Sequence, residues 1–175
     1  MTREYVTRSP LWHLWLGIGA RTQVMAFIIF AVLLAAGASA RAGEALDLAP
    51  YRGKIVVVDF WASWCAPCRQ SFPWLNTLQQ RYGAEGLVIV GVNVDRERAQ
   101  ADRFLREVPA EFSIIYDPAG TLAEKYELMG MPSSFVFGPN GELLSTHIGF
   151  KNGARAERET ELAALLHQYV TTTAR

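Results

Sequence analysis

The chain contains two cysteines, Cys65 and Cys68, and both lie in "FWASWCAPCRQSFP". Three kinds of chemistry suit such a pair: a structural staple, part of a metal site, or a redox switch. A disulfide closing so small a ring restricts the unfolded chain little, by ~2 kcal/mol in the loop-entropy view, so the pair is poorly placed as a staple. A structural zinc site needs four ligands. The other candidates, His147 on a predicted strand and His167 in the last predicted helix, show no ligand spacing with the cysteines. No metal site is expected from them, and both read as ordinary surface or packed histidines. A copper site built from the two cysteines and a distant histidine stays open as an alternative.

The redox reading accounts for the spacing itself. Cysteines at i and i+3 at the start of a helix lie on one side of its first turn, close enough to bond. The helix amino terminus supplies unpaired N–H groups and partial positive charge, which stabilise a thiolate on the first of them. Cys65 is therefore expected to be the exposed nucleophile and Cys68 the deeper, resolving thiol. Attack by Cys65 on a client disulfide gives a mixed disulfide, which Cys68 then releases.

The elements that must position this pair can be read on either side of it. "IVVVDFW" is a short β-branched run of the kind that forms a buried central strand. A helix is predicted over residues 66–82, with Phe72, Leu75 and Leu78 as its apolar stripe, Pro73 as a kink and Gly83 as a stop. "GLVIVGVNVD" reads as a second strand, and "RERAQADRFLREV" as an amphipathic helix with Ala101, Phe104, Leu105 and Val108 on one face. "FSIIYD" then reads as a strand, "GTLAEKYEL" as a short helix, and "SSFVF", "GPNG" and "ELLSTHIGF" as a strand–turn–strand hairpin. A last helix is predicted over residues 154–169. The order β-α-β-α-β-α-β-β-α implies an α/β fold, a central mixed sheet flanked by helices on both faces.

The first forty residues are different in kind. Arg3, Arg8 and Arg21 precede the apolar run "VMAFIIFAVLLAAGASA", which closes on the small-x-small pattern Ala38-Ser39-Ala40. Residues 1–40 therefore read as a signal peptide or an amino-terminal membrane anchor, and residues 41–175 as one exported domain. Trp12, His13 and Trp15, in a second apolar patch, read as interfacial aromatics of the targeting segment. Basic and acidic residues number 17 each in the whole chain. Without the leader, 14 basic and 16 acidic remain, so no field draws the domain to nucleic acid.

With these residues in hand, the sequence resembles the thioredoxin superfamily, and within it the TlpA-like exported thiol-disulfide oxidoreductases. The resemblance is carried by "VVVDFWASWCAPC", by Pro73 after the second cysteine, by "VNVD" closing the next strand, and by "GMPSSFVFGPNGEL". It implies a thioredoxin-like fold and a redox-active Cys65–Cys68 disulfide, with no cofactor. It also implies that Met131-Pro132 is a cis-proline site beside the cysteines, where the Met131 backbone pairs with a client strand. Trp64, Ala66 and Pro67 join Met131 and Pro132 as expected client contacts, while Trp61 packs and Trp74 has no assigned task. Asp59 matches the family's buried acid. An aspartate in so apolar a strand is costly without a task, and the implied task is proton exchange with Cys68 at a pKa raised by burial. Several TlpA-like proteins carry a glutamate three residues after the second cysteine; here Ser71 stands there, so the acid role falls on Asp59 alone.

The expected direction is reduction of clients. Pro67 has no N–H to offer the Cys65 thiolate, and an Asp59 carboxylate nearby disfavours it further, so oxidation of this protein is favoured. The resemblance implies client proteins with disulfides, among them apocytochromes c and copper-site proteins. It also implies a DsbD-type membrane electron donor, periplasmic or other extracytoplasmic location, and contact with the membrane only through the amino-terminal segment. A copper-handling binding module is the alternative function. Peroxide reduction on a related fold is disfavoured, because it calls for a cysteine with a distant resolving partner.

Overall fold

The computed structural model describes residues 46–169. The leader and anchor readings of residues 1–40 lie outside the described residues. Five strands and four helices follow in the expected order: β1 (Ile55–Trp61), α1 (Ala66–Tyr82), β2 (Leu87–Asn93), α2 (Arg98–Glu107), β3 (Ser113–Tyr116), α3 (Thr121–Lys125), β4 (Ser133–Phe137), β5 (Leu143–Ile148) and α4 (Arg155–Tyr169). They form one mixed sheet of order β3-β2-β1-β4-β5. The first three strands run parallel, and β4 and β5 are antiparallel to their neighbours.

Strand β1 sits at the centre, and all seven of its residues are buried. Its side chains alternate between two cores. Val57 and Trp61 join Cys65, Cys68, Phe72, Leu75, Leu78, Phe104, Leu162 and Leu166, so α1, α2 and α4 cover that face. Val56, Val58 and Phe60 join Phe135 and Phe137 on the other face, where Leu122, Tyr126 and Leu128 from the α3 region close the layer. Helices thus lie on both faces.

Aromatic packing fixes how α1 lies on the sheet. Trp61 meets Phe72 edge-on with centroids 4.9 Å apart, and Phe104 at 4.8 Å. Phe72 also meets Phe104 at 5.1 Å and Phe112 at 5.2 Å. Each such pair adds about 0.5–1.5 kcal/mol beyond its burial. This cluster lies under the first turns of α1, the helix that carries the cysteines. The helix continues past Pro73 as one element, with the proline on its exposed side.

The expected stop at Gly83 is found: α1 ends at Tyr82, and Gly83 is its C-cap. Gly83 keeps a right-handed helical conformation (φ −58°) and opens a short 3-10 turn, Gly83–Glu85. The chain turns into β2 at Gly86, whose φ of 106° is the left-handed geometry that glycine alone adopts cheaply. Two glycines three apart carry the same sequence signal, and only backbone geometry tells which one reverses the chain.

Candidate active site

The cysteines lie where β1 gives way to α1. Cys65 has extended backbone geometry and is the N-cap of α1, and its Sγ accepts the Cys68 N–H at 3.2 Å. The two are joined in a disulfide with an S–S length of 2.02 Å. Position N2 of the helix is Pro67, which has no N–H, so the sulfur receives its helix-terminal hydrogen bond from Cys68. Upstream, Ser63 is tied down by Asp95, whose carboxylate accepts both its N–H (2.9 Å) and its hydroxyl (3.0 Å). Asn93 donates to the same carboxylate at 2.8 Å. The "VNVD" motif thus anchors the approach to Cys65.

The expected exposure of Cys65 is not found. Cys65 is 4% exposed and Cys68 0%, so both sulfurs belong to the helix-covered core. The reason is local: the N-cap position turns the Cys65 side chain back along the helix, onto the Cys68 amide. What is exposed is the rim, with Trp64 at 68% and Ala66 and Pro67 also open to solvent.

The Met131-Pro132 peptide bond is cis. It immediately precedes β4, whose first residue Ser133 pairs with Phe60 near the end of β1. Pro132 therefore lies at the end of the sheet from which the cysteine turn emerges, and Met131 packs against the core cluster that contains both cysteines. The Pro132 carbonyl accepts the Gly149 N–H at 2.7 Å. Trp64, Ala66, Pro67, Met131 and Pro132 are placed at this one end of the molecule.

Asp59 is 1% exposed, on the same face of β1 as Val57 and Trp61 and hence beneath α1. Its register partner on β4 is Ser134, whose hydroxyl donates to Asp59 Oδ1 at 2.6 Å. Oδ2 has no hydrogen-bond partner. Burial pushes the Asp59 pKa up to about 7; the Ser134 hydrogen bond and the positive charge of Arg158 each oppose that rise. A carboxyl titrating near neutrality is suited to exchange protons at physiological pH.

Three participants escape a reading of the sequence alone. Ser134 lies within the "GMPSSF" motif, but only the strand register shows that it, and not Ser133, faces Asp59. Asp95 closes "VNVD", yet its hold on Ser63 spans 32 positions. Arg158 has no sequence signal. It lies on α4, far along the chain from the cysteines. His147 pairs with Glu161 at 3.0 Å, half-buried between β5 and α4. Among the described residues no cluster of three or more His, Cys, Asp or Glu could hold a metal ion.

Residues 32–145 match the AhpC/TSA family. Curated relatives include the thiol-disulfide oxidoreductase ResA of Geobacillus kaustophilus, 31% identical over 68% of this chain and 68% of that protein. The ResA protein of Bacillus subtilis is 24% identical over 73% of this chain and 66% of that protein. Among solved structures, one described as a thiol:disulfide interchange protein DsbE from Chlorobium tepidum superposes with a TM-score of 0.67. It is 44% identical, covering 68% of this chain and 84% of that one. The chain spans between about half and about two thirds of the length of the first curated relatives. With its five-stranded mixed sheet, cysteine-capped helix and cis-proline, the chain belongs to the thioredoxin-like AhpC/TSA family.

Proposed function

We propose that the chain is a thiol-disulfide oxidoreductase that reduces the disulfides of exported client proteins. The observation that carries this reading is the Cys65–Cys68 disulfide closed over the first turn of α1, with Cys65 as N-cap. Two relatives quoted above are named thiol-disulfide oxidoreductases.

In the reduced protein the Cys65 thiolate attacks one sulfur of a client disulfide. A Cys65–client bond forms, the client S–S bond breaks, and one client thiolate leaves. Cys68, giving its proton to Asp59, then attacks Cys65 Sγ. The intramolecular disulfide forms and the second client thiolate leaves, so two electrons pass to the client. A dithiol donor must return them, and the resemblance makes that donor a DsbD-type membrane carrier. Trp64, Ala66, Pro67 and Met131-Pro132 form the surface against which the client strand lies. Apocytochromes c and copper-site proteins are the client classes the resemblance offers. The extracytoplasmic setting rests on the first forty residues of the sequence.

The reducing direction is supported by Pro67, which withholds a donor from the Cys65 thiolate, and by the burial of Asp59 near the pair. A peroxide-reducing cycle with a distant resolving cysteine lacks its second residue, since the chain has only these two cysteines. The copper-carrying alternative would rest on the two thiols alone.

The reduction potential tests the proposal. A reductant is expected to fall below about −230 mV, toward the thioredoxin value of about −270 mV. A potential near −120 mV would make the protein an oxidant and overturn the proposed direction. Failure to reduce any protein disulfide, together with tight copper(I) binding, would overturn the enzyme reading itself.

A further inference from the structure

Beside the cysteine turn, between α1 and α2, runs a groove of about 280 Å³. Ser63, two residues before Cys65, lines it together with Arg69, the residue that follows Cys68. From α2 come Gln100, Arg103, Glu107 and the buried Phe104. The groove flanks the cysteines on the side away from the cis-proline. Helix α2 follows β2 on one side of β1, whereas Met131-Pro132 leads into β4 on the other.

The lining suits a negative group. Arg69 is held in place: its Nη1 donates to Glu107 at 2.9 Å, and its guanidinium carbon lies 4.9 Å from the centre of the Phe104 ring. Most of its N–H groups remain for a carboxylate, which a planar guanidinium accepts edge to edge. Arg103 is exposed and pairs with no acid among the described residues. Gln100 adds an exposed, uncharged donor. The acids nearby are engaged: Glu107 by Arg69, Asp95 by Ser63 and Asn93, and Asp102 by Arg98 at 3.6 Å. Beyond residue 40 the chain holds 16 acidic and 14 basic residues, so the positive charge is local to this groove and not a property of the whole surface.

We propose that the groove is a specificity subsite for an acidic client side chain, in which Arg103 and Arg69 receive the carboxylate of an aspartate or glutamate near the client cysteine. The inference deepens the proposed reduction of client disulfides and rests on that reading for the approach of the client to Cys65. One arm of the client lies on the Met131-Pro132 side of the cysteines, and the other crosses them toward α2. Arg69 stands one turn of α1 beyond the Cys65 cap, about 6 Å along the axis. An extended client advances about 3.3 Å per residue, so its acid falls within about four residues of its reactive cysteine.

The test uses short peptides that carry an internal disulfide and differ at one position within four residues of a cysteine, where they have Glu, Gln or Lys. Initial rates at low ionic strength, read as peptide thiol formed by the reduced protein, should rank Glu above Gln above Lys. The Glu-to-Lys ratio should be about three- to tenfold, as two partly exposed ion pairs allow, and should shrink as salt is added. Arg103→Gln should lower that ratio, and Arg103→Glu should invert it. Arg106→Gln, which removes an exposed charge of the same helix outside the groove, should leave it unchanged. A second measurement does not depend on turnover: a Glu peptide with serine in place of its cysteines is titrated into the disulfide form and followed by amide NMR. Shifts at Ser63, Arg69, Gln100 and Arg103 that the Gln peptide does not reproduce support the subsite. Peptides reduced at equal rates whatever the residue would overturn the subsite and leave the reductase reading intact. If no peptide is reduced but the Glu peptide still shifts the groove, the reductase reading fails and the subsite stands. Loss of the preference in Arg106→Gln as fully as in Arg103→Gln would assign it to the general field of α2 and overturn the groove.

Discussion

Ser134 donates a 2.6 Å hydrogen bond to Asp59 across the antiparallel β1–β4 pair, and the other oxygen of that carboxylate has no partner. This half-satisfied state is unstable for an anion in an apolar core. One hydrogen bond and one positive charge lower the pKa, burial raises it more, and the balance falls near neutrality. Asp59 therefore stands at the edge of ionisation near neutral pH.

Replacing that acid should stabilise the fold. Asp59 has its pKa raised from 3.8 to about 7 on folding. Below both values it is protonated in the folded and unfolded chain alike, and no penalty arises. As pH climbs through the window between them, the unfolded state ionises first and stability falls; above about 7 the loss is complete. Asp59→Asn removes this dependence. It should be more stable than wild type by roughly 1–3 kcal/mol at pH 8, with the difference shrinking toward pH 4. Urea unfolding at several pH values measures it, and a gain that does not vary with pH would contradict the account.

Ser134→Ala acts on the same group from the other side. Without the hydroxyl, the ionised carboxylate has no hydrogen-bond donor, so the Asp59 pKa should rise further. The cost to stability should be about 1–3 kcal/mol at alkaline pH and much less near pH 4, where the protonated acid can turn elsewhere. Carboxyl NMR and unfolding at both pH values check the two halves separately.

Most of the architecture is legible from periodicity. The run "IVVVDFW" and the β1 boundaries coincide, as do the α1 boundaries, because a β-branched run followed by a cysteine-capped amphipathic helix leaves few alternatives. The cis bond at Pro132 and the burial of Asp59 agree with what the resemblance implied. What escaped depends on packing between distant elements. The low exposure of Cys65 follows from its N-cap geometry, and Arg158 gains its meaning only when α4 folds against β4 and β5. A sequence shows that an arginine exists; it does not show which carboxylate it will face.

Gly91 offers a test of the packing under α1. A Cβ placed there would lie 2.9 Å from Ile114 Cδ1, 3.0 Å from Phe112 and 3.1 Å from Trp61 Nε1. These side chains belong to, or pack against, the same core as Phe72 and the cysteines, so relief in one direction crowds another. Gly91→Val should destabilise the protein by about 1–3 kcal/mol, lowering the thermal midpoint. A neutral result in calorimetry would mean that this aromatic cluster is looser than its contacts indicate.

Pro67 occupies the second position of α1. At an ordinary helix start the second and third amides both point toward the cap, but here only the Cys68 amide reaches Cys65 Sγ. Pro67→Ala supplies a second donor. Each N–H directed at the sulfur favours the thiolate, so the Cys65 pKa in the reduced protein should fall by about one unit. Above both pKa values that is about 1.4 kcal/mol of selective stabilisation of the reduced form, which corresponds to a reduction potential about 30 mV less negative; below them the change in potential shrinks toward zero. The variant should thus be a weaker reductant, although its thiolate is more populated. Redox equilibration against glutathione measures the potential, and thiolate absorbance measures the pKa. If the potential stays put while the pKa falls, the disulfide form has been stabilised equally. The missing proline N–H would then not set the direction of electron flow.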